Sequence, residues 1–304
     1  NGGGYLNIAI DLADEFLGKD KLIVYTEGNK QPREEAKSSA RGGFEEGRLV
    51  VLVDETSASA SEILSGAVQD WDRGVVVGRR TFGKGLVQKP IPMPDGSMIR
   101  LTVARYYPPT GRSIQKPYVN GNQEQYNHDL IDRYNRGELM SADSIHFPDS
   151  MKYNTLETKR IVYGGGGIMP DVFIPVDTSR YTDYHRSVVA AGLGNRIAMN
   201  YLDRHRAELN KKYPKFAQYK QNFNVTDDIM QELVTLAKDD KIEFNEEQYN
   251  RSKPLIMLQI KALIARDLYD MAEYFQVIND DNESFQEALR LINDEQRYKK
   301  ELGR

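Results

Sequence analysis

The sequence predicts an α/β core followed by an all-helical region, with the boundary near residue 178. Three observations carry this. Strand-like apolar runs alternate with stretches of helical apolar spacing in the first third of the chain. Residues 108–160 are polar, irregular and rich in Asn, Tyr and Asp. Glycine is nearly absent after Gly194, and helical patterns dominate from 179 onward. The expected domains are 1–178 and 179–304.

Each element follows from its local pattern. Behind Gly2-Gly3-Gly4, apolar residues at Leu6, Ala9, Ile10, Ala13, Phe16 and Leu17 have helical spacing, and Gly18 is the stop. Leu22 to Tyr25 reads as a strand, and the polar stretch 27–48 as a surface loop. Leu49 to Val53 is an apolar strand of the fully buried kind. A second amphipathic helix covers about 59–71, and Val75-Val76-Val77 is another buried strand. Pro94-Asp95-Gly96 turns between strands near 86–93 and 98–107. Met151 to Ile161 adds a strand, Gly164 to Gly167 a flexible turn, and Val172 to Ile174 a short strand. In the helical region, Ser252 and Pro254 suit the N-cap and first turn of a long helix. Ser284 and Glu287 form a capping-box pattern ahead of Ala288, Leu289 and Ile292.

Composition narrows the function classes. The chain has 304 residues, 39% of them hydrophobic, and a formal net charge of −4. That balance favours neither nucleic acid nor an anionic membrane as partner. The absence of cysteine excludes disulfides, thiolate chemistry and zinc–sulfur sites. No apolar run approaches the roughly 20 residues of a membrane span. The chain starts at Asn1 inside a glycine-rich loop, which reads as a piece of a longer protein.

The chemistry concentrates where the strand at 49–53 meets the next helix. Asp54 to Ile63 contains Ser57, Ser59 and Ser61, and apolar residues at Ala60, Ile63, Leu64, Ala67, Val68 and Trp71 start the helix close to Ser59. A hydroxyl there sits at the positive end of the helix dipole. The Ala60 N–H can donate to an oxyanion, and the glycines at 2–4 can supply a second N–H. The same Ser59 and Glu62 also fit S-x-x-E, an ordinary capping box. From this segment alone the nucleophile stays open among the three serines.

A serine nucleophile needs a base. None of His128, His146, His185 and His205 has a local pattern suggesting a triad. Lys84, in Thr81-Phe82-Gly83-Lys84-Gly85-Leu86, is the better candidate, because apolar neighbours penalise its ammonium form. If 84–88 is extended, Gln88 faces the same side as Lys84 and can orient its amine. Gly78 to Lys84 also matches the first seven positions of a P-loop, but Gly85 stands where a magnesium-binding hydroxyl belongs, and Pro90 and Pro92 bar the helix that a P-loop opens.

Together, Ser57 to Ile63, Gln69-Asp70, Val77-Gly78 and Thr81 to Gln88 closely resemble the C-terminal processing (tail-specific) peptidases. Leu101 to Tyr107, Gly111 to Gln115 and Gly166 to Asp171 extend the likeness, which covers roughly 1–178. The Ser–Lys spacing of that family selects Ser59, with Lys84 as base. The resemblance implies that Gln88 is a third catalytic-site residue, that Asp70 takes part as in some members, and that Gly3 and Gly4 help Ala60 to form the oxyanion hole. It implies a crotonase-like serine protease core, no metal or cofactor, and cleavage of protein or peptide substrates near their C-terminal tails in the bacterial cell envelope, on the periplasmic side. A PDZ domain and further sequence are expected upstream of the glycine loop. Beyond substrate, a second copy of the chain or an adaptor protein is left open as partner. The alternative reading is a non-catalytic peptide-binding or scaffolding module on the same fold.

Overall fold

The computed structural model describes residues 1–118 and 122–304. They divide into two units, Asn1–Val176 with Glu287–Arg304, and Asp177–Gln286. No helix among the described residues is long and apolar enough to cross a membrane.

The first unit is mixed α/β. Helix α1 (Leu6–Asp14) leads into β1 (Leu22–Gly28), whose Ile23, Val24 and Tyr25 are buried. Strand β2 (Gln31–Lys37) returns antiparallel beside it. A loop is expected there, because Gln31 to Lys37 has no apolar alternation. Backbone pairing with β1 makes the strand instead, and its exposed charges suit a sheet edge that resists further pairing. Strand β3 (Val50–Val53) then feeds α2 (Ala60–Asp70), which returns the chain to β4 (Val75–Gly78), parallel to β3. β4 is fully buried as its valines require. β3 is not: it lies at the edge of its sheet, and Leu52 is 42% exposed.

Strands β5 (Leu86–Pro92) and β6 (Met98–Tyr107) form the expected hairpin around Asp95-Gly96. Residues Arg105 to Tyr107 of β6 also pair with β1, giving a four-stranded antiparallel sheet ordered β2-β1-β6-β5. The polar stretch that follows holds helix α3 (Gln123–Asn135) and a small hairpin of β7 (Lys152–Asn154) and β8 (Ile161–Tyr163). Strand β9 (Val172–Phe173) completes a three-stranded parallel sheet, β3-β4-β9. Leu17, Ile23, Val53, Ile63, Ala67, Val76, Tyr106 and Ile168 form the core between α1, α2 and these sheets.

The second unit is helical, with α4 (Asp183–Ala190), α5 (Leu193–Lys212), α6 (Phe216–Asn222), α7 (Asp227–Asp239), α8 (Glu246–Leu268) and α9 (Met271–Ile278) around a core that includes Leu193, Ile197, Tyr219, Leu233, Ile256 and Ile260. Helix α8 starts about two turns before the expected cap. Asn245 takes that role, accepting from the Gln248 N–H at 3.0 Å, so Pro254 lies inside the helix. Ser252 is fully buried and bonds Thr182 Oγ1 at 2.6 Å and the Arg180 carbonyl at 2.9 Å.

The division between the units falls inside α10 (Glu283–Asn293). Its cap is Asn282, which accepts from the Phe285 N–H at 3.2 Å. The expected box partner Glu287 instead pairs with Arg290 at 2.8 Å and with Arg297. Helix α11 (Glu295–Glu301) belongs to the first unit, although a helical domain running to 304 is expected from sequence. The reason is apolar: Leu291, Tyr298 and Leu302 cluster on Val75 and Val77 of β4.

His185 offers a test of the helical unit. It is buried, Nε2 lies 3.2 Å from Gln259 Oε1, and Nδ1 has no partner among the described residues. Burial pushes its pKa below the ordinary 6.5, opposed by the Gln259 hydrogen bond. A base with a depressed folded pKa contributes stability that is complete above the unfolded value and is lost as pH falls through 6.5 and below. Thermal melts should therefore show a lower midpoint at pH 5.5 than at pH 7.5, and His185→Gln should shrink that difference. An unchanged difference in the variant would assign the pH dependence to other groups.

Candidate active site

Ser59 sits at the start of α2 with φ of 60° and ψ of −120°, a conformation that costs a non-glycine residue on the order of 1–3 kcal/mol. Such strain persists only where surrounding structure over-determines it. The surroundings here are specific. Gly3, at φ of 90°, lies so close that a Cβ on it would meet the Ala58 carbonyl at 2.5 Å, Ser59 Cβ at 2.8 Å and Ala60 N at 2.9 Å. Only glycine fits. The Asn1 carbonyl accepts from the Ala58 N–H at 3.1 Å and from Ser61 Oγ at 2.8 Å, tying the glycine loop to the serine turn.

The centre of the arrangement is Glu62, which is fully buried. Its Oε2 accepts from the Ser59 N–H at 2.8 Å and from the Lys84 N–H at 2.9 Å. Its Oε1 accepts from Thr81 Oγ1 at 2.5 Å and from the Gly83 N–H at 2.8 Å. One carboxylate oxygen thus holds the backbone nitrogens of Ser59 and Lys84 within two hydrogen-bond lengths of each other. Burial pushes the Glu62 pKa up, while the four donors favour the charged form.

The segment Gly83-Lys84-Gly85 is pinned at each of its N–H and carbonyl groups. The Gly83 carbonyl accepts from the Lys116 N–H at 2.9 Å, the Lys84 carbonyl from the Tyr106 hydroxyl, and the Gly85 carbonyl from the Tyr106 N–H at 3.1 Å. The Gly85 N–H donates to Gln115 Oε1 at 2.8 Å. Gly83, at φ of 87°, packs against the backbone of Gly166 and Gly167 and against Lys116. Lys116 Nζ lies 3.9 Å from the Phe82 ring centre and 4.1 Å from that of Tyr126, and bonds Asp129 at 3.2 Å. Arg133 of α3 donates to the Thr81 carbonyl at 3.0 Å and to that of Arg80 at 2.7 Å. The Lys84 side chain is half-buried, and no ion pair or hydrogen bond engages Nζ among the described residues.

The remaining sequence candidates fall as follows. Ala60 is the first residue of α2, so its N–H lacks an intrahelical partner. The Gly3 N–H donates to Asn1 Oδ1 at 2.9 Å. Gly4 is exposed, with open space beside it. Gln88 is exposed on β5 opposite Thr102. Asp70 is not a solvent-exposed carboxylate: it is fully buried, ion-paired to Arg112 at 2.7 Å, and accepts from the Thr110 N–H at 2.9 Å and Thr110 Oγ1 at 2.7 Å. It lies eleven residues from Ser59, roughly 16 Å along the helix. The chain after Lys84 runs into strand β5, so the P-loop match lacks the helix that would hold phosphate. Tyr106, Gln115 and Lys116 go unremarked as site residues by sequence reasoning, because they act on backbone groups of residues 83–85 from far away in the chain.

Residues 1–124 match the family model described as Peptidase family S41. Residues 184–270 match a Family of unknown function (DUF8443). The chain is 45% identical over 117 residues to a carboxy-terminal-processing protease of Bartonella bacilliformis, covering 38% of this chain and 26% of that protein. It is 44% identical over 116 residues to a carboxyl-terminal-processing protease of Picosynechococcus, covering 38% of this chain and 28% of the relative. A solved photosystem II D1 C-terminal processing protease shares 38% identity, with a TM-score of 0.36, over 38% of this chain and 30% of its own. The chain therefore spans about a quarter of the length of the curated relatives it matches.

Glu62→Gln tests the hub. An amide presents a donor to at least one of the four donors now satisfied, so the variant should lose about 2–3 kcal/mol of stability in urea unfolding. Ser59→Ala should cost no more than about 1 kcal/mol. Equal small losses in both would mean that the loop is held independently of Glu62.

Proposed function

We propose that the first unit is the catalytic core of a serine endopeptidase, built on a crotonase-like fold, that cleaves proteins near their C-termini through an acyl-enzyme on Ser59. The observation that carries this is the Glu62 oxygen shared by the backbones of Ser59 and Lys84, with Ser59 held at positive φ at a helix start. The S41 match and the relatives' names as processing proteases support the substrate class.

In this mechanism Ser59 Oγ attacks the scissile carbonyl carbon while its proton passes to the neutral amine of Lys84. The Ala60 N–H, with a donor from Gly3 or Gly4, holds the oxyanion. Engaging Gly3 requires its N–H to leave Asn1 Oδ1, whereas Gly4 needs no such exchange. Collapse expels the amine product, which takes the proton from Lys84, and water then hydrolyses the ester. Gln88 orients Lys84 once substrate is bound, and Asp70, locked to Arg112, acts by holding the 108–112 loop under α2. No step requires a metal or cofactor. Substrate tails are the partners, with an adaptor or a second copy as further ones. As the family resemblance implies, the enzyme acts on the periplasmic side of the bacterial envelope, with a PDZ domain upstream.

The test is cleavage of a fluorogenic peptide, read beside labelling by a serine-acylating probe. Ser59→Ala should lose at least about a thousandfold in turnover with its circular dichroism unchanged. Lys84→Ala and Lys84→Arg should be equally inactive, since arginine stays protonated. Alanine variants of His128, His146, His185 and His205 should keep activity. Substantial turnover by Lys84→Arg, or a folded but dead histidine variant, would replace the dyad with another base.

A further inference from the structure

Lys116 follows the Gln115 that holds the Gly85 N–H, and it is only 4% exposed although it carries a charge. Its backbone N–H donates to the Gly83 carbonyl at 2.9 Å, and its Cβ would lie 3.1 Å from one added to Gly83. Its ammonium is shared by two rings, 3.9 Å from the centre of Phe82 and 4.1 Å from that of Tyr126, which meet edge to face at 6.1 Å. The same Nζ donates to the Tyr126 carbonyl at 2.9 Å and to Asp129 at 3.2 Å. Phe82 is in turn tied to the serine turn, since its N–H donates to the Ser57 carbonyl at 2.9 Å. Tyr126 and Asp129 lie on α3, beyond residue 124 where the S41 match ends.

We propose that Lys116 is a positioning residue for the peptidase reaction: its ammonium clamps Phe82 against α3, and so holds the lysine loop and the serine turn at the separation that proton transfer needs. The proposal rests on the Ser59–Lys84 reading above. Phe82 stands two residues before Lys84, and the Ser57 carbonyl it holds stands two residues before Ser59, so one ring anchors both segments. Lys116 is not itself the base, because its Nζ is engaged by two acceptors and two ring faces. A desolvated cation binds an aromatic face more tightly than an exposed one, and a neutral amine loses that attraction. The clamp therefore depends on charge. The groups facing Lys116 are Tyr126, Asp129 and Arg133 of α3 and Glu62 of α2. Burial pushes its pKa below the ordinary 10.5, against the pull of Asp129. The ammonium, and with it the hold on Phe82, is lost as pH rises through that lowered value.

The experiment is the pH profile of turnover by the full chain on the fluorogenic peptide, with circular dichroism at each pH to establish that the protein is folded. Wild-type turnover should fall on the alkaline side as Lys116 loses its proton. Lys116→Met keeps the length of the side chain and drops the charge. Its turnover at pH 7.5 should be about tenfold below wild type, the scale of a desolvated cation–π contact, with no alkaline fall of its own. Lys116→Arg keeps the charge throughout, so it should retain near wild-type turnover and lose the alkaline fall. Wild-type turnover in Lys116→Met overturns the proposal. So does a folded Lys116→Arg as slow as Lys116→Met, which would assign the effect to shape, or one with the wild-type alkaline fall, which would assign that limb to another group. Lys84→Arg separates the two readings. An active Lys84→Arg beside a dead Lys116→Arg would make Lys116 the base and remove the Ser59–Lys84 reading, whereas a dead Lys84→Arg beside a normal Lys116→Met removes only the role given to Lys116.

Discussion

Glu62 has no ion-pair partner among the described residues, so its buried charge is held by four hydrogen-bond donors, and the geometry of the site follows from where those donors sit. Two come from the loop after β4, one from the side chain of that loop's first buried threonine, and one from the serine turn itself. A buried carboxylate stripped of any one donor carries a large desolvation penalty, which forces the two segments to stay together. The chain reaches this arrangement twice from the same parallel sheet. β3 delivers the serine turn and β4 delivers the lysine loop, with α2 between them. Thr81 extends the tie outward, accepting from the Ile168 N–H at 2.6 Å while it donates to Glu62.

Much of this was legible in the sequence. The strand–helix–strand run from Leu49 to Val77 is written in apolar runs and helical spacing, with Ser59 and Glu62 standing out within it and Lys84 just beyond it. What the sequence hides is the meaning of Glu62. S-x-x-E is common as a helix start, and nothing in the local pattern tells that the glutamate also gathers Thr81, Gly83 and Lys84 across about twenty residues. The partner of Asp70 is hidden for a related reason, since Arg112 is supplied by a loop in a different part of the chain. Strand β2 escaped because charge, not apolar alternation, fills an edge strand paired on one side only.

The helical unit shows the opposite balance. Its cores follow from periodicity, yet its helix ends do not, because Asn245 and Asn282 compete with Ser252 and Ser284 as caps and win by position. Serine hydroxyls inside the bundle find better use bridging helices, as Ser252 does with Thr182 and the Arg180 carbonyl. Local capping rules cannot rank such alternatives, since the deciding partner is brought in by packing.

The return of residues 287–304 to the first unit bears on the order in which the protein is made. The Tyr298 hydroxyl donates to the Leu49 carbonyl and accepts from the Leu49 N–H, 249 residues away, at the entrance to β3. Leu291, Tyr298 and Leu302 cover the β4 valines on the same sheet. Ser59 and Lys84 thus leave the ribosome long before the residues that cover the sheet bearing them. A nascent chain already containing both catalytic candidates still has β4 bare on one side, and its longest-range contacts close last. The apolar cover of β4 is complete only once α11 has been synthesised, so the sheet that carries both segments closes late.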